Sequence, residues 1–129
     1  MKNAIFITDS MFELSDFKLY SKDLFEFENA NESEIEYYIP HEQESYLSIS
    51  KDNSMFHLME PYGQNKIVSE FVTFNVFSCL FYDFSYIQKL VASIPSERKV
   101  IIDNDHGTIM QREEFLRLNS YEGFVKGLI

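Results

Sequence analysis

The chain has no tryptophan and a single cysteine, Cys79, so no disulfide can close within it. That fits a reducing compartment, and the expected location is cytoplasmic. Four glycines and three prolines in 129 residues are too few for a collagen-like or Pro/Gly-rich disordered chain. Long apolar runs are also missing. The first one, Ala4 to Ile7, is cut off by Asp9, well short of a signal-peptide core or of the roughly 20 residues that span a membrane as a helix. What the chain does have is apolar and aromatic bulk, 45% hydrophobic residues with 13 Phe and 8 Tyr. That is enough to build one core at a length typical of one domain, and residues 1–129 are read as a single α+β domain.

Positive charge is scarce, and its scarcity is local. Residues 1–64 hold four Lys/Arg against thirteen Asp/Glu, a balance of −9, whereas residues 65–129 hold seven against eight, a balance of −1. No Lys or Arg lies between Lys22 and Lys51, and within that gap "FEFENANESEIEYYIPHEQES" carries seven glutamates. Such a segment projects a negative potential. It disfavours direct contact with nucleic acid or an anionic membrane, whose phosphates need cationic side chains to displace counterions.

The acidic segment is nonetheless patterned. In "EIEYYI", Ile35, Tyr37 and Ile39 alternate with Glu34, Glu36 and Tyr38, and in "FEFE", Phe25 and Phe27 alternate with Glu26 and Glu28. A period of two marks strands with one buried and one wet face, and "NANES" between them supplies a turn. A disordered acidic tail lacks such a face. "SYLSIS" continues the pattern with Leu47 and Ile49, "SMFHLME" fits a further strand, and Ala4 to Thr8 and Lys66 to Phe74 are strand candidates, although "KIVSEFVTF" also fits a helical template.

From Phe77 the apolar spacing becomes three and four through Leu80, Phe81, Phe84, Ile87, Leu90, Val91 and Ile94. This predicts one long helix, capped by Asn75 and stopped by Pro95, packed across the sheet. "KVIID" reads as a buried strand, "NDHG" as a turn, and Thr108 with Gln111 as a capping box opening a helix; Ser120 caps a short last one. The expected fold is thus an antiparallel sheet of about five to seven strands, mostly N-terminal, on one long helix, with a C-terminal strand-turn-helix.

Catalytic and metal signatures do not emerge. "DNDHGTIMQREEF" resembles a calcium-binding EF-hand loop only superficially: with Gly107 at the sixth position Ile102 falls at the first, and "KVII" reads as strand where a helix is needed. Asp103 and Asp105 form a D-x-D pair without a phosphate cradle. His41, His57 and His106 show no metal-ligand spacing, Cys79 lies on an apolar face, and no G-x-S-x-G elbow occurs. No catalytic residue, cofactor or metal is expected.

The acidic surface is left as the feature to explain. Glutamates directly across a hairpin repel one another, so they need either a strand geometry that spreads them or a partner that neutralises them, and tyrosines among them offer interface area. In small size, one acidic lobe and lack of catalytic signature, the chain resembles bacterial immunity proteins that neutralise polymorphic or contact-dependent growth-inhibition toxins. "VIIDNDHGTIMQREEFL" has the look of a strand-turn-helix element recurring in small bacterial proteins. The resemblance implies a cognate toxin, often a basic nuclease, with its active site covered. The candidate partner-binding residues are Glu28, Glu32, Glu34, Glu36, Tyr38, Glu42, Glu44 and Tyr46, and homo-oligomerisation is not indicated. Two rivals are a small enzyme or ligand-binding domain with an aromatic pocket between helix and sheet, and an acidic adaptor for some other basic protein.

Overall fold

The computed structural model describes residues 1–25 and 27–128, and of Phe27 the backbone only. Seven strands, β1 (Lys2–Asp9), β2 (Phe27–Ala30), β3 (Glu34–Ile39), β4 (Glu42–Lys51), β5 (Phe74–Phe81), β6 (Val100–Asp103) and β7 (Ile109–Gln111), form one sheet in the order β2-β3-β4-β5-β1-β6-β7. Every neighbouring pair is antiparallel. The expected α+β class and strand number hold.

One face of the sheet carries the main core. Ala4 and Phe6 of β1, Phe77, Cys79 and Phe81 of β5, Leu47 and Ile49 of β4, and Ile35 and Tyr37 of β3 all point to it. Four short helices cover this face: α1 (Leu14–Tyr20), α3 (Phe84–Ser93), α4 (Arg112–Leu116) and α5 (Tyr121–Lys126). They contribute Phe17, Ile87, Phe115 and Phe124 among others. Phe84 touches both Phe115 (ring centroids 5.4 Å) and Phe124 (5.3 Å), joining three of these helices through edge and tilted ring contacts.

Only half of the opposite face is covered. A 3-10 helix (Asn53–Leu58) and α2 (Pro61–Glu70) lie over Ile5 and Ile7 of β1, Val76 of β5 and Ile101 of β6, burying Ile67 and Phe71 against them. Over β3, β4 and the C-terminal end of β5, no helix of the described residues lies on this side.

Several sequence expectations change here. The single long helix is instead β5 followed by α3. Phe77 and Phe81 are four apart, a spacing that both a helix face and a strand face allow. Backbone pairing to β1 and β4 on either side selects the strand. The genuine helix starts later, where Asp83 accepts the Ser85 amide at 2.9 Å. Asn75, expected as a cap, is buried in β5: its side-chain amide donates to the Phe12 carbonyl at 2.8 Å and its oxygen accepts from Asn53 at 3.1 Å.

"SMFHLME" forms the 3-10 helix rather than a strand, and Lys66 to Glu70 belongs to α2, whose first residue, Pro61, presets the helical φ. In the C-terminal part the expected strand Val100–Asp103 and the turn after it are present, but Ile109–Gln111 adds a strand, so the cap moves from Thr108 to Gln111, whose amide donates to Glu114 at 2.9 Å. Ser120 does cap α5, accepting the Gly123 amide at 3.1 Å. That helix ends at Gly127 with φ +65°, where an added Cβ would collide with Thr108.

Candidate functional site

The uncovered half-face is built by strand alternation. Residues of β3 and β4 whose neighbours enter the core project outward here: Glu34, Glu36 and Tyr38 from β3, and Tyr46, Ser48 and Ser50 from β4. Ser78 and Leu80 of β5 and Asn3 of β1 extend the surface. Leu80 is 40% exposed and Tyr82, just beyond β5, 46%. Three serines occupy the middle, Ser48 buried between its neighbours and Ser50 and Ser78 half-buried, with tyrosines toward one end. Among the described residues, no strand position facing this side in β3, β4 or β5 is Lys or Arg.

The glutamates are spread. Glu34 stands opposite Ser50, and Glu36 lies between Asn29 on β2 and Ser48 on β4. No carboxylate of the register faces another directly, so strand geometry relieves the repulsion that the sequence raised. Glu36 also accepts a hydrogen bond from the Tyr46 hydroxyl at 2.9 Å. Burial, and then this carboxylate neighbour, push the Tyr46 phenol up to about 12, so it stays a neutral donor at physiological pH.

A tight turn closes the β3–β4 hairpin. Pro40 is followed by His41 at φ +75°, the positive value needed at the third position of a type II turn. The ladder slips between Tyr37 and Ile39, and the buried Ser45 hydroxyl fills the gap, accepting the Ile39 amide at 2.7 Å and bonding the Glu42 carbonyl at 2.5 Å. The slip turns Glu42 toward α3, where its carboxylate accepts the Tyr86 hydroxyl. That bond first, and burial second, raise the Tyr86 phenol to about 12.

Of the eight residues the sequence nominated, Glu34, Glu36, Tyr38 and Tyr46 come together on the open half-face. Glu32 sits exposed at the β2–β3 turn, ordered by Asn31, whose side chain accepts the Glu34 amide at 3.0 Å. Glu44 is exposed at the end of the sheet, lining a groove with Tyr82 and Ser85. Glu28 does not join them: it pairs with Tyr37 in the register and therefore faces the helices, with Lys18 at 3.7 Å. Glu42 is likewise drawn to the helical side. Glu26, expected on the wet face, lies outside the described residues.

Sequence reading set Ser48 and Ser50 opposite Leu47 and Ile49, as the strand has them, but missed Ser78, Leu80 and Tyr82 as parts of this surface. The signal was present in "FNVFSCLFY", where Phe77, Cys79 and Phe81 alternate with Val76, Ser78, Leu80 and Tyr82; the helical template masked it. Asn104 was also missed. It is buried, accepts the His106 and Thr108 amides at 2.8 and 3.0 Å, and donates to the Phe124 and Val125 carbonyls at 2.9 and 3.1 Å, so it ties the turn to α5.

A separate cavity of about 430 Å³ opens between α1 and the β2–β3 edge. Phe25, stacked on Tyr37 at 4.9 Å, forms its apolar wall, and Ser21, Lys18, Lys22 and Glu28 supply polar groups. Three of these groups are already engaged: Lys18 meets Glu28, and the Ser21 hydroxyl is hydrogen-bonded to the Phe17 carbonyl (2.6 Å) and the Tyr37 hydroxyl (2.8 Å).

Asp103 and Asp105 line another groove with Met55, Met59 and His106. The Asp103 carboxylate accepts the Asp105 amide at 2.7 Å, bracing a turn in which Asp105 itself has φ +61°. Among the described residues no three His, Cys, Asp or Glu side chains converge as a metal site would require, and no helix is long and apolar enough to cross a membrane. The Cys79 thiol is fully buried, and that burial raises its pKa well above the usual thiol value. No known protein family, curated protein or solved structure matches the chain.

Proposed function

We propose that the chain binds a basic protein through the open half-face, and that it acts as an immunity protein that neutralises a cognate bacterial toxin, a basic nuclease, by covering its active site. The observation that carries this reading is a sheet surface without a covering helix among the described residues, bearing the half-buried Glu34, Glu36, Tyr38 and Tyr46 with no Lys or Arg among its strand positions in β3, β4 and β5. Carboxylates of this kind meet the lysines and arginines with which a nuclease holds phosphates. Long-range attraction from a chain of net charge −10 speeds the encounter, and contact occludes the site. With Glu28 and Glu42 facing the helices, Glu34 and Glu36 are the central acidic contacts, and Glu32 and Glu44 lie at the rim.

The test is functional. Cells expressing a candidate toxin, a basic nuclease, should survive when the chain is co-expressed, and should die when Glu34 and Glu36 are both changed to lysine in a chain that still folds. Survival with the double variant would remove this face from the function. An acidic adaptor for some other basic protein would bind without rescuing any toxin. The ligand-binding rival draws on the cavity beneath α1; it ranks second because Lys18, Glu28, Ser21 and Tyr37 in its lining are already bonded in pairs. Saturable capture of a small metabolite, lost on Phe25→Ala, would put it first.

A further inference from the structure

One end of the open half-face is a cleft of about 590 Å³ beside the Pro40 and His41 turn, walled by Tyr46 and Tyr82. We propose that this cleft receives an arginine side chain of the basic partner, the guanidinium lying on the tyrosine rings with its edge toward the margin of the cleft, where the Tyr46 hydroxyl meets Glu36. The inference rests on the docking reading above and specifies the chemistry by which the partner is held.

The chain already contains this arrangement once, with its cation in place. The Arg98 guanidinium lies over the Phe12 ring at 4.7 Å and the Tyr20 ring at 5.9 Å, donates to the Tyr20 hydroxyl at 2.8 Å and approaches Asp16 at 3.6 Å. Two aromatic rings, a phenol and a carboxylate thus surround one planar cation. The cleft supplies the two rings and the phenol, and Glu36, just outside its lining, supplies the carboxylate at its margin. The Tyr46 and Tyr82 rings stand 6.2 Å apart and 58° to each other, and Glu36 is held at the Tyr46 hydroxyl.

Among the described residues, no Lys or Arg lies over either of these two rings. Lys2 is engaged elsewhere, donating to the Tyr82 carbonyl at 2.6 Å and lying over the Tyr121 ring at 5.2 Å. Glu36 spends one oxygen on Tyr46, and a carboxylate has acceptor sites to spare for a guanidinium fork. The chemistry favours arginine over lysine. A guanidinium is flat, weakly hydrated and presents several N–H groups in one plane, so it can stack and donate sideways together, whereas an ammonium has no face to stack.

The probe is N-acetyl-arginine methylamide, titrated into the full chain at constant ionic strength while the tyrosine ring resonances are followed by NMR, with N-acetyl-lysine methylamide as comparison. The expected result is saturable shifts of Tyr46 and Tyr82 with a Kd on the order of 1–10 mM for the arginine probe, at least about fivefold weaker for lysine. Tyr82→Ala, at an exposed position that leaves the core intact, should abolish the shifts, and Tyr46→Phe, which keeps the ring, should retain them. Equal response to both probes, or arginine shifts that survive Tyr82→Ala, would overturn the assignment.

Toxin rescue separates this proposal from the reading beneath it. If Glu34→Lys with Glu36→Lys abolishes rescue while Tyr82→Ala leaves it whole, the face docks the partner but the cleft is not its anchor. Loss of rescue by Tyr82→Ala together with the probe result supports both.

Discussion

The two halves of the sheet's second face share strands yet meet opposite fates. Over β1, β6 and the start of β5 the outward residues are Ile5, Ile7, Ile101 and Val76, and the 3-10 helix and α2 bury them. Over β3, β4 and the end of β5 they are Glu34, Glu36, Ser48, Ser50 and Ser78, and no helix of the described residues covers them. The difference is already written in the strands: "AIFIT" is buried at every position, "EIEYYI" at alternate ones. An unbroken apolar strand asks for cover on both faces, whereas an alternating one is stable with one side in water. The open half therefore needs no second layer to be stable.

The comparison breaks if the two halves respond alike to truncation. Ile67→Ala beneath α2 should lower unfolding free energy by about 2–5 kcal/mol in urea, the range for emptying a fully buried aliphatic site. Leu80→Ala on the open half should cost less than about 1 kcal/mol. Equal losses would mean that the open half is covered in solution.

A smaller effect is expected at the hairpin that frames the open half. Ser45→Ala removes the acceptor of the Ile39 amide and should cost about 1–3 kcal/mol. Faster amide exchange confined to β3 and β4 would locate the damage, and exchange accelerated across the whole sheet would contradict a local role.

Next comes charge. Glu34→Lys with Glu36→Lys should change stability by no more than about 1 kcal/mol, because neither residue enters the core. Affinity for a basic toxin should nevertheless fall at least about tenfold and lose much of its salt dependence. Calorimetry at two ionic strengths reads both, and an unchanged salt slope would point to another face.

The smallest effect concerns Asp103, at the far side of the covered half. Burial holds its carboxyl above the ordinary aspartate value of 3.8, against the opposing hydrogen bond it accepts from the Asp105 amide. The folded state therefore binds this proton more tightly than the unfolded chain does. Its stabilising contribution is present at acid pH and lost as pH rises through the folded value. Asp103→Asn keeps an oxygen for the Asp105 amide, so the variant should match the parent near pH 3 and exceed it by roughly a few tenths of a kcal/mol at neutrality. A difference independent of pH would assign the effect to packing instead.

The strand pattern was legible wherever burial alternated, as in Ile35 and Tyr37 or Leu47 and Ile49. It failed where a spacing of four satisfied two geometries at once, as in Phe77 and Phe81, and where no strand partner was available, as for Met55 to Met59. Half of the nominated surface was legible for the same reason: Glu34, Glu36, Tyr38 and Tyr46 follow from alternation alone. Glu28 and Glu42 did not, because the first depends on which residue of β3 it pairs with and the second on a slip in the ladder. Neither is a property of one strand read by itself. Tyr82 needed the correct strand before it could be seen at all.

Cys79 sits in the middle of β5 with no exposed surface and a thiol whose burial suppresses the thiolate. Since the thiolate is the reacting species, alkylation must wait until the sheet comes apart. The chain's only cysteine is thus a built-in clock for global opening, and a cysteine introduced on the outer strands could carry a dye while the native one stays silent.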